Sequence, residues 1–406
     1  MNTRSVFSRC QVRGRSSNLG SYITTIHEMK YAYLILLAGA IFSLMTCNGQ
    51  VVTSAEKTTT YRIITADKEL LGDNKAEVEL CVQLLDAASE RIQKFYGKKR
   101  LRDADLATAI QILSTIDSVF TEFGFLFYTN EDIHFDFLTL AFRELFDSKN
   151  LEFANRYRYD YFKKLNKPYC REIDCDLYCF VYLGIAEMND LPLTMVELPH
   201  HNFIHWNFPS GQHMNWEAID GRYHPMDSTL SCFYHLQEFD NNSKKYFLRD
   251  WPTSEVLSYY YSLRGSKFDN NPKYKDPVKA KRDYEMALSL YDSNAFVMNN
   301  YVWLFVTYSD FDSEFDQTKL CGYSDRAIRL INDLNYYDTK AALYAQAHDF
   351  STAIKIEEAG LQVKCDPDGA RKDAEKHLAW FKKNITVREG PGIEQDSLQK
   401  RKQFQQ

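Results

Sequence analysis

The run from Asp176 to Met188 constrains the fold of this chain more than any other. Leu177, Tyr178, Phe180, Val181, Tyr182, Leu183, Ile185, Ala186 and Met188 leave almost no polar face. A helix without a polar stripe has to be surrounded, so it must form the core of its domain. Asp174 stands where an N-cap is required, which predicts Cys175 in the first turn, and Leu191-Pro192 marks the exit.

Short alternating runs follow, and together they make residues 151–235 read as an α+β unit, a helix packed on a small antiparallel sheet. On either side the periodicity is helical. Residues 67–150 carry helical patterns such as Ala76 to Ala88 and Asp105 to Ile116, residues 236–274 read as a connecting region, and residues 275–383 read as helical hairpins. In the hairpins, Ala280, Ala287, Ala341, Ala353 and Gly360 are spaced to let paired helices approach, a pattern resembling tetratricopeptide repeats. The segment Ser309 to Thr318 breaks the repeat period, and His348 stands where such repeats usually carry glycine. Tyr259-Tyr260-Tyr261 is expected to pack the modules together or to line a groove. The polar tail 384–406 reads as disordered.

At 406 residues, 45% of them hydrophobic, the chain can bury a large core divided over two or three domains. Lys+Arg 49 against Asp+Glu 55, with no basic block in the body, argues against a nucleic-acid partner.

The N-terminal region carries an export signature. Lys30 precedes the uncharged run Tyr31 to Thr46, too short for a spanning helix and suited to a signal-peptide core, so 29–46 reads as a signal peptide. Leu44-Met45-Thr46-Cys47 resembles a bacterial lipobox, which implies lipidation of Cys47, although Thr46 is atypical before the cysteine. Residues 47–66, polar and rich in threonine, read as a lipid-anchored linker. Residues 1–28 read as an upstream extension, with the true start at Met29. The expected location is the cell envelope, as a membrane-anchored lipoprotein facing the periplasm or the surface.

Setting aside Cys10 and Cys47 leaves Cys81, Cys170, Cys175, Cys179, Cys232, Cys321 and Cys365, an odd number that implies at least one unpaired thiol after export. None of the close pairs typical of zinc sites occurs among Cys170, Cys175 and Cys179, so neither a metal nor a cofactor is expected.

A thiolate is favoured at a helix N-terminus, which selects Cys175 as the candidate nucleophile over Cys170, ahead of the helix, and Cys179, one turn inside it. A base should come from a neighbouring strand. In the run Pro199 to Trp206, alternation places His201, Phe203 and His205 on one face and Asn202, Ile204 and Trp206 on the other; the next strand offers Asn215 and Glu217 on a shared face. His200, His205, His213 and His224 read as surface or strand-face residues, and Trp206 and Trp216 as core anchors.

These residues resemble the transglutaminase-like, papain-fold superfamily, in particular its SirB-type branch, whose members carry tetratricopeptide repeats after the core. Cys175 opens a buried helix, Cys179 is the small residue four positions on, Asp190-Leu191-Pro192 is the turn, Pro199, His201 and Phe203 match a Pro-x-His-x-Phe pattern, and Glu217 matches an acid on the next strand. The likeness covers about 170–227, and implies a catalytic triad of Cys175, His201 and Glu217 acting on a protein or peptide amide. Asp174 replaces a common glycine and should raise the thiol pKa. Glu217 replaces an aspartate, with Asp220 as a competitor for the role. No oxyanion-hole side chain is identifiable, leaving the main-chain N–H of Cys175. Two functions fit: a cysteine-dependent amide or peptide hydrolase or acyl transferase, and a non-catalytic scaffold whose repeats bind a protein partner.

Overall fold

Helices dominate the computed structural model, which describes residues 54–97, 100–126, 137–147, 161–199, 201–219, 221–224, 227, 236–363 and 370–390. The extension 1–28, the signal segment 29–46, Cys47, Cys232, Cys365, His200 and Asp220 lie outside the described residues. Among the described residues no helix is long and apolar enough to cross a membrane.

The N-terminal helices are α1 (Thr59–Ala66), α2 (Lys68–Leu71), α3 (Lys75–Tyr96), α4 (Leu106–Glu122) and α5 (Leu138–Arg143), followed by the central α6 (Cys175–Asn189). The Asp174 side chain accepts from Leu177 N–H at 3.1 Å and caps α6, while Asp190 ends it in the left-handed region at φ 52°. Leu177 to Ile185 are buried throughout. At roughly 1.5–3 kcal/mol for each large apolar side chain removed from water, that burial outweighs the modest helix propensity of Val181, Tyr182 and Ile185.

Gly184 permits the closest contact on α6. A Cβ there would collide with Thr60 of α1, whose hydroxyl donates to the Phe180 carbonyl at 2.5 Å. Residues 47–66 were expected to be a linker, but 59–66 form α1. Thr59 and Thr60 are buried structural donors: Thr59 bonds Glu187 of α6 through both its N–H and its hydroxyl, at 2.6 and 2.5 Å.

A five-stranded antiparallel sheet of order β7-β6-β5-β4-β8 packs against α6. Its strands are β4 (Leu193–Leu198), β5 (His201–Asn207), β6 (His213–Glu217), β7 (Arg222–His224) and β8 (Asp250–Trp251). β8 and the long helix α7 (Thr253–Asn270) fall within the expected connecting region, yet they complete the sheet and the core. A second sheet of order β1-β3-β2 joins β1 (Phe125–Leu126), β2 (Phe146–Asp147) and β3 (Tyr169–Glu172) just ahead of α6. The segment 67–150 is therefore not purely helical. Two-residue strands are too short to display a period of two in sequence.

The sheet's two faces bury different partners. Met195, Ile204, Trp206, Met214 and Trp216 pack with α6, while Val196, Leu198 and Phe203 cluster with Ala295, Met298 and Ala327 from the C-terminal helices. Those helices are α8 (Pro277–Leu290), α9 (Ala295–Thr307), α10 (Gln317–Leu330), α11 (Leu334–Gln346), α12 (Phe350–Gly360) and α13 (Arg371–Phe381). His348, between α11 and α12, takes the left-handed conformation at φ 60°. Of the expected tail, 384–390 is ordered against α9: the Arg388 guanidinium donates to the carbonyls of Phe305, Val306 and Tyr308. Residues 391–406 lie outside the described residues.

Candidate functional site

The β5–β6 ladder decides where the sequence-selected residues meet. Its rungs run from Asn207 opposite His213 to Ile204 opposite Trp216 and stop there. The indole N–H of Trp216 donates to Tyr182 of α6 at 3.1 Å, so Trp216 faces the helix and Glu217, the next residue, faces away from it. His201 lies on that same outer face, its ring stacked at 6.4 Å on Phe203. His201 and Glu217 meet past the last rung, with Nε2 2.7 Å from Oε2 and both side chains buried.

The N-terminus of α6 meets the helix-facing side of β5 at Asn202. Asn202, first of the β5 residues to face the helix, directs its main-chain N–H at the Cys175 sulfur. Its side-chain amide donates to Asp176 Oδ1, while the Tyr259 hydroxyl of α7 donates to Asp176 Oδ2 at 2.7 Å. The thiol itself lies 3.5 Å from Asp176 Oδ1 and is half-buried. The structure thus brings His201 and Glu217 together and gives the Cys175 sulfur two neighbours that sequence reasoning missed, Asp176 and Asn202. Asp176 and Tyr259 are 83 residues apart, and no local pattern signals their pairing.

Burial pushes the Cys175 thiol well above its ordinary pKa, and the Asp176 and Asp174 carboxylates push it the same way. The Asn202 N–H works against them. Burial also raises Asp176, against the hydrogen bonds from Tyr259, Asn202 and Cys175 and the charge of nearby His201. A helix N-terminus favours a thiolate by only about 0.3–1 kcal/mol when exposed. Here desolvation and two carboxylates outweigh it, and the resting sulfur carries its proton.

The remaining candidates have structural places. Cys179 and Cys170 are buried core residues, as are Trp206 and Trp216. Tyr259 holds Asp176, and Tyr260 donates to Asp67 at 2.8 Å, so this aromatic run packs α7 onto α6 and α1. No model of a known protein family matches the chain, and no curated protein matches it.

Proposed function

We propose that the protein is a transglutaminase-like, papain-fold cysteine enzyme that cleaves or transfers acyl groups at protein or peptide amides, with Cys175 as nucleophile, His201 as base and Glu217 as its orienting acid. The observation that carries this reading is the buried His201–Glu217 pair on a sheet packed against the helix that Cys175 opens. In this reading Glu217 accepts from Nε2–H of His201 and orients the ring, and Nδ1 is the nitrogen that takes the thiol proton. A thiol that rests protonated needs such a base. As sulfur attacks the carbonyl carbon, His201 takes the thiol proton; it then returns that proton to the leaving amine, and water or a second amine releases the acyl group from sulfur. The N–H of Asn202, aimed at the sulfur, stabilises the thiolate as it forms. The helical hairpins from α8 to α13 are read as degenerate tetratricopeptide repeats that present the protein substrate, and the chain as a lipoprotein held in the cell envelope through Cys47.

The elevation of the thiol favours a second reading, in which the core is a non-catalytic scaffold and the repeats bind a protein partner. Incubation with quenched peptide libraries and a fluorescent primary amine separates the two. The enzyme reading expects peptide cleavage or amine incorporation that disappears in Cys175→Ala and falls steeply in His201→Ala. Activity undiminished in Cys175→Ala overturns Cys175 as the nucleophile, and no turnover and no acyl adduct on any substrate class supports the scaffold.

A further inference from the structure

Further along β5 from His201, a second group of side chains converges on the same outer face. His205 of β5, His213 of β6 and Asp227 each offer one ligand atom, and these atoms lie within 4.8 Å of one another. The two imidazoles stack with centroids 4.0 Å apart at 15°. His213 Nε2 is 3.1 Å from Asp227 Oδ1, which also accepts from the Asn215 amide at 2.8 Å.

His205 makes this more than a surface cluster. It is 2% exposed, and its Nδ1 is 2.8 Å from Asp250 Oδ1, itself held by Thr194 at 2.6 Å. The other nitrogen, Nε2, is buried without a hydrogen-bond partner among the described residues. Leaving a buried polar atom unsatisfied costs about 1–3 kcal/mol. A carboxylate holding one imidazole nitrogen while the other is presented is also the arrangement that orients metal-binding histidines and raises their basicity.

We propose that His205, His213 and Asp227 form a binding site for a divalent transition-metal ion, with His205 Nε2 as its buried anchor and Asp250 as the residue that positions it. Two imidazoles and one carboxylate suit Zn²⁺ and its first-row neighbours, whereas Ca²⁺ and Mg²⁺ take oxygen ligands. Bonds of about 2.0–2.1 Å put tetrahedral donors roughly 3.3 Å apart, so small side-chain movements close the site. The ion replaces the His213–Asp227 hydrogen bond, satisfies His205 Nε2, and keeps at least one coordination position for water. This proposal does not depend on the role of Cys175.

The test is titration of the chelator-treated full-length protein with Zn²⁺ by calorimetry and with Co²⁺ by absorption spectroscopy. About one equivalent should bind saturably and raise the melting temperature. His213→Gln and Asp227→Asn, both at positions outside the core, should abolish binding while keeping the circular dichroism of the parent. Asp250→Asn should weaken binding by about 10–100-fold, and Cys175→Ser should leave it unchanged. Absence of saturable binding overturns the site. So does binding that survives both His213→Gln and Asp227→Asn, or a Co²⁺ spectrum with a thiolate charge-transfer band that vanishes in Cys175→Ser.

Discussion

His201 and His205 sit on one face of the same strand, each with a carboxylate on its imidazole, yet on opposite nitrogens. Glu217 holds His201 at Nε2, and Asp250 holds His205 at Nδ1. The nitrogen that is held fixes the one that is presented. On His201 the held nitrogen is Nε2, and the proposed mechanism uses Nδ1. On His205 it turns a buried Nε2 toward His213 and Asp227. A third pair supplies the contrast. His377 of α13 and Asp338 of α11 are 2.7 Å apart and buried among the C-terminal helices, next to a buried carboxyl, Glu357. A histidine–carboxylate pair is therefore a positioning device, and its surroundings decide its use.

The largest expected effect breaks the first pair. Glu217→Gln keeps the shape of the side chain but replaces a group that only accepts with an amide that can also donate, so the tautomer is no longer fixed, and should lower kcat by about 10²–10⁴-fold, measured on whichever amide or ester substrate the wild type turns over. Asp338→Asn, the same change at the helical pair, should leave kcat unaltered. Next comes the metal-site comparison: the 10–100-fold loss of affinity expected for Asp250→Asn should have no counterpart in Glu217→Gln, and equal losses in both would mean that the two histidines are not distinct devices.

A smaller effect is expected at the support that both devices share. Gly184→Ala forces a methyl group into Thr60 and should cost about 1–3 kcal/mol in chemical denaturation. A pH-dependent effect is expected at the helical pair. Burial and the Asp338 charge raise the Glu357 carboxyl to about 10 from an ordinary 4.5. The folded state then binds more protons than the unfolded state between those values, so stability falls as pH rises across the window. Glu357→Gln should flatten that fall, and an unchanged slope between pH 5 and pH 9 would show that Glu357 does not titrate in this way.

Much of the core was legible because its signals are local. The all-round apolarity of Leu177 to Met188, the Asp174 cap and the Pro192 turn required a buried helix with Cys175 at its start, and period-two alternation grouped His201 with Phe203 and His205, and Glu217 with Asn215, on one face of each strand. What escaped depends on distant segments. Thr59 and Thr60 looked like tether residues because polarity alone does not reveal a buried acceptor on α6. Asp176, Tyr259 and Asn202 come from a helix start, a distant helix and a strand, and Asp227 and Asp250 reach the sheet from outside the β5–β6 hairpin. Neighbours of that kind are set by topology, which periodicity does not encode.

The central claim is that the His201–Glu217 pair activates a thiol that rests protonated. Single-turnover acylation by a nitrophenyl ester at neutral pH, followed by intact mass, tests it most directly. The account predicts an acyl adduct on Cys175 in the wild type, none in Cys175→Ala, and adduct formation slowed by about 10²–10⁴-fold in Glu217→Gln. Acylation of Glu217→Gln and His201→Ala at the wild-type rate would contradict it.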